Sequence, residues 1–80
     1  MDHSHIVTRF DKDLSEIESL LVEMADLVAK QIRDSAKALQ LGDDKLAKTV
    51  TKNDSKINRL EEKIDDKAIR LIALRQPMAE

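Results

Sequence analysis

Cysteine, tryptophan and tyrosine are absent from this 80-residue chain, which has one glycine, Gly42, one proline, Pro77, and one aromatic residue, Phe10. Each absence removes a class of structure. Without thiols there is neither a disulfide framework nor a thiolate metal site, and no need of an oxidising compartment, so a cytoplasmic location is expected. A β-fold of this length needs many more turn residues than one glycine and one proline supply. A single glycine also excludes the glycine-rich phosphate loops G-x-x-x-x-G-K-[ST] and G-x-G-x-x-G. Nucleophilic catalysis needs Ser, Thr or Lys beside an orienting base in a concavity, and a chain of this kind offers no obvious concavity; an enzyme is not expected. No apolar run approaches the roughly 20 residues that span a bilayer, and the opening MDHSHIVTRFDKD is too polar for a signal peptide. The 14 basic and 16 acidic residues are interspersed for a net charge of -2, so composition provides no field of one sign to draw nucleic acid or an anionic membrane.

What is present is 38% charged residues and a supply of Leu, Ile, Val, Ala and Met, the composition of long helices. The expected fold is all-α, two long antiparallel helices forming a hairpin. Residues 1–7 lack periodicity and are read as a flexible arm; His3 and His5 form an H-x-H pair there, without a third ligand to fix a metal. Thr8 and Asp11 have the spacing of a capping box, so the first helix is placed over about 8–40. At about 100° per residue, Phe10, Leu14, Ile17, Leu21, Met24, Val28, Ile32, Ala36 and Leu39 share one face, widened by Leu20 and Leu27. Lys12, Glu16, Glu23, Asp26, Lys30, Arg33 and Lys37 lie opposite, with Asp26 and Lys30 as an i,i+4 pair, and read as a solvated face. Glu23, Lys30 and Arg33 are candidates for contact with a partner.

Gly42 after Leu41 is a stop signal, and Asp43 or Asp44 then caps a second helix over about 44–75. So short a link makes the two helices antiparallel neighbours. Leu46, Val50, Ile57, Leu60, Ile64, Ala68 and Leu71 form the inner stripe of the second helix, and Pro77 ends or bends it. Gln31, Ser35, Asn53 and Lys67 stand at seam positions where a strict coiled coil would place apolar residues, which argues against a plain coiled-coil spacer. Asp54, Asn58, Glu61 and Asp65, spaced 4, 3 and 4 apart, share one edge of the second helix. Carboxylate-rich helix edges hold iron or manganese in some bundles, so these four residues form a candidate wall of a metal site, with a solvated rim as the alternative. Farther along, the same edge turns apolar at Ile69 and Ile72. The segment Ala68 to Leu74, AIRLIAL, is apolar on nearly every side and needs more partners than one neighbouring helix offers. A third helix or a second copy of the chain is therefore expected against it.

The runs HIVTRFDKDL and LGDDKLAKTVTKNDSKINRLEEKIDDKAIRLIALRQPMAE resemble the N-terminal part of the PhoU family. The resemblance rests on the opening Phe10 and Asp11, on Asp54, Ile57, Asn58 and Glu61 in the second helix, and on the ending Ala73-x-x-Gln76-Pro77-x-Ala79. It implies an all-helical cytoplasmic protein of two three-helix bundles that couples the phosphate transporter Pst to the sensor kinase PhoR and restrains the phosphate-starvation response. It also implies a continuation after residue 80, with Asp-Leu-Arg and a third helix whose Glu-Arg-x-x-Asp motif binds metal in some members. A divalent or iron-type metal is thus implied for the full-length family, and the chain as it stands is expected to self-associate as an antiparallel four-helix bundle.

Overall fold

The computed structural model describes the backbone of residues 3–75 and the side chains of residues 8–75. It is a helical hairpin of α1 (His3–Leu41) and α2 (Asp44–Arg75). At 1.5 Å per residue the 39 residues of α1 account for a rod 60 Å long. The helix begins at His3 rather than near Thr8, so residues 3 to 7, read as an arm, belong to it. Neither glycine nor proline interrupts that stretch, and extending a helix already nucleated costs little per residue. The side chains of His3 and His5 lie outside the described residues. The turn expected at Pro77 lies outside the described residues.

The link between the helices is built from two caps. Gly42 takes φ +62°, a left-handed conformation that other L-residues adopt at a cost. That turn lets the Asp43 N–H donate to the Ala38 carbonyl at 3.0 Å, the long-range bond of a Schellman motif. Asp43 then caps α2, its Oδ1 accepting from the Leu46 N–H at 3.0 Å while its carbonyl takes the first helical bond from Ala47. Of the two candidate caps, Asp43 is the one used.

Between the helices Ile17, Ile64 and Leu71 are buried, with Phe10, Leu20, Met24 and Ala68 packed against them. The α2 stripe is the expected one. On α1 the seam is displaced toward one edge of the apolar arc: Ile17, Leu20, Met24, Leu27, Gln31, Ser35 and Ala38 turn inward, in steps of three or four. Leu14, Leu21, Val28, Ile32 and Leu39, expected on the inner face, are exposed. The polar seam residues pair across the interface. Lys67 Nζ donates to Glu16 Oε2 at 3.1 Å, and Gln31 Nε2 donates to Asp54 Oδ1 at 3.3 Å. Such half-exposed contacts add little stability, but a shift by one turn separates both pairs, so they fix register. On the outer face Lys30 pairs with Asp34 at 2.8 Å rather than with Asp26, and that hydrogen bond holds the Asp34 carboxyl below its ordinary pKa.

Because the turn depends on the left-handed residue, Gly42→Ala should destabilise the hairpin by about 1 kcal/mol and Gly42→Asn by less. Urea unfolding followed by circular dichroism measures both, and equal stability of Gly42→Ala and the parent chain would refute this account of the link.

Candidate functional site

Two helices leave two long grooves, one on each side of their seam, and here the two differ in chemistry. The seam residues of α1 cover only one edge of its apolar arc; the other edge opens into the first groove. Leu14, Leu21, Val28, Ile32 and Leu39 lie within about 40° of each other on that edge. Ile32 is 66% exposed and Leu39 85%. On α2, Ile69 and Ile72 are 65% and 61% exposed. At the open end of the hairpin, Phe10, Leu14 and Ile17 face Ala68, Leu71 and Ile72 across a groove of about 480 Å³, and Arg75 closes it. The Arg75 guanidinium sits 4.9 Å from the centre of the Phe10 ring, a cation–π contact. An apolar stripe running most of the length of a helix is far larger than the scattered exposed side chains of an ordinary monomer surface.

The candidate metal wall borders this same groove. Asp54, Asn58, Glu61 and Asp65 lie within about 60° of each other on α2, and Ile72 continues the same line. All four side chains are exposed. Asp54 is held toward α1 by the hydrogen bond from Gln31, while the other three make no hydrogen bond or ion pair to α1 among the described residues. Helix geometry therefore brings the four residues onto one edge but not around one point: the distance from position 54 to position 65 along the axis is about 16 Å. Among the described residues no three His, Cys, Asp or Glu side chains come close enough to enclose an ion. What the edge can do is supply ligands or hydrogen-bond acceptors to whatever lies in the groove. Glu23, Lys30 and Arg33, the candidate contact charges, are exposed on α1 away from this groove.

The residues missed from sequence were Gln31 and the displaced edge of α1. Gln31 stood out only as a break in a heptad; that it reaches Asp54 depends on how the two helices are paired. No described helix is long and apolar enough to cross a membrane.

Comparison with known proteins gives one consistent family. A family model described as the PhoU domain matches residues 21–80. The chain is 41% identical over 75 residues to a phosphate-specific transport system accessory protein PhoU homolog of Pseudomonas putida, covering 94% of this chain and 29% of that protein. It is 39% identical over 79 residues to the homolog of Rhizobium meliloti (strain 1021), covering 99% of this chain and 33% of that one. With the accessory protein PhoU of Escherichia coli (strain K12) the identity is 35% over 77 residues, 96% of this chain and 32% of that protein. The chain thus spans about a third of the length of the curated relatives it matches. No solved structure matches it.

Proposed function

Because this chain belongs to the PhoU family, we propose that it is the N-terminal helical hairpin of an accessory protein of phosphate-specific transport, acting through protein contacts and without catalysis. In this reading it couples the Pst transporter to the sensor kinase PhoR and represses the phosphate-starvation response when phosphate is plentiful. One observation carries the contact mechanism: the apolar edge of α1 and Ile72 of α2 flank one groove that the two helices leave uncovered, with Ile69 exposed on the turn beside it. A groove of that length is covered by a further helix or by a second copy of the chain. With α1 and α2 alone, two copies can bury their stripes against each other as an antiparallel four-helix bundle.

A second reading is favoured by the position of the carboxylate edge. Asp54, Asn58, Glu61 and Asp65 border the same groove, so a helix or second copy lying in it can bring further oxygen ligands to them. The donor set of carboxylates and an amide suits a hard divalent cation or iron. Ligands from two elements would be needed, since one helix edge supplies only one side of a coordination sphere.

Three measurements test these readings. Expression of the protein in a bacterium deprived of its own PhoU-family member should restore repression of a phosphate-starvation reporter in high phosphate; a reporter that stays fully active removes the accessory role. Light scattering should give twice the chain mass at micromolar concentration, and a well-folded monomer would remove the four-helix bundle. Protein purified without chelator should retain metal that the Asp54→Ala, Glu61→Ala double variant loses, and equal metal content in the two would remove the metal reading.

A further inference from the structure

The second groove, on the opposite side of the seam, has a different character. Lys52, Lys56, Arg59, Lys63, Lys67 and Arg70 are spaced 4, 3, 4, 4 and 3 apart, which lines them up along one edge of α2 for about 27 Å. Along the chain these bases are interleaved with Asp54, Glu61, Glu62, Asp65 and Asp66, so the net charge of the segment conceals them. The helix sorts most of them: the bases go to one edge, the carboxylates Asp54, Glu61 and Asp65 to the other, and Glu62 and Asp66 to the exposed outer face between the two. Across the groove α1 offers Glu16 and Glu23. Among the described residues Lys67 is the one member of the basic edge within ion-pair distance of a carboxylate, that of Glu16. Glu23, Leu27 and Leu60 line the groove beside Lys56, Arg59 and Lys63.

We propose that this basic edge of α2 is a docking surface for an acidic helical segment of a partner protein. The inference rests on the reading of the chain as an accessory protein that works through contacts, and it gives one such contact a place and a chemistry. Three features of the groove select this class of partner. Carboxylates at three- and four-residue spacing on a helix match the spacing of the bases on α2. The half-buried Leu27 and Leu60 beneath them provide an apolar floor that a side chain from such a helix can reach. Glu16 and Glu23 on the facing wall repel a continuous polyanion such as nucleic acid, whereas a helix can turn its own bases toward them. An amphipathic helix that inserts into an anionic membrane carries apolar side chains projecting beyond its lysines, and the two leucines lie below them instead.

The test uses the intact chain and a labelled helical peptide with glutamates at three- and four-residue spacing and leucines on the adjacent edge. A scrambled peptide of equal composition, a DNA duplex of about 20 base pairs and vesicles of phosphatidylserine and phosphatidylcholine serve as competitors. The patterned peptide should bind most tightly, with affinity falling as salt rises. The Lys56→Glu, Arg59→Glu, Lys63→Glu variant should weaken it by more than about tenfold without loss of helical circular dichroism. Reversing Lys12, Arg33 and Lys37 of α1 to Glu makes the same change in net charge and should weaken it by less than about threefold. Equal binding of the scrambled peptide, an equal loss in the α1 variant, or tighter binding of DNA or vesicles overturns the proposal. Absence of peptide binding while the reporter is still repressed removes this inference and leaves the accessory role; an unrepressed reporter with peptide binding intact does the opposite.

Discussion

Two helices laid side by side can each bury one stripe and no more, and nearly every feature of this molecule follows from that limit. A single stripe suffices for α2 in its first half, where Leu46, Val50, Ile57 and Leu60 face α1 and charged residues face outward. It does not suffice for α1, whose apolar arc is wider than one neighbour can cover. The surplus stays exposed at Leu14, Leu21, Val28, Ile32 and Leu39. Burying a side chain of that size is worth about 1.5–3 kcal/mol, so a row of five left in water is a strong driving force for association.

Where the apolar contacts are few, polar ones settle the alignment. An interface of repeated aliphatic residues tolerates slippage by a turn, because one Leu or Ile replaces another at similar cost. Glu16 with Lys67 and Gln31 with Asp54 remove that freedom, since each pair exists in one register only. The tight link acts in the same sense, with Gly42 and Asp43 completing both helix ends within a two-residue connection. Register matters for function because it decides which side chains share a groove. With this pairing the apolar edge of α1 and the carboxylate edge of α2 border one groove, while Glu16 and Glu23 face the basic edge of α2 across the other.

Much of this was legible from spacing alone. The two helices, the stop at Gly42, the α2 stripe and the polar seam positions all follow from local rules of periodicity and capping, which act over four or five residues. The reading of α1 went astray at its start and on its inner face. The Thr8 and Asp11 spacing resembles a cap, yet a cap is optional where nothing breaks the helix upstream. On the inner face, Ile32, Ala36 and Leu39 continue the apolar pattern, but Gln31, Ser35 and Ala38 occupy the seam. Periodicity measures how wide an apolar arc is; it does not say which part of the arc a neighbour will cover. The carboxylate edge was visible as Asp54, Asn58, Glu61 and Asp65, whereas the groove it borders was not.

The sequence by itself therefore determined the two helices, the link between them and their antiparallel order, together with the family resemblance that the comparisons bear out. These depend on neighbours in the chain and on residues read in order. The tertiary structure decided which edge of α1 is left uncovered, which acids and amides pair across the seam, and how the charges of α2 divide between two grooves. Those depend on the rotation and register of one helix against the other, and no window of sequence contains both partners at once.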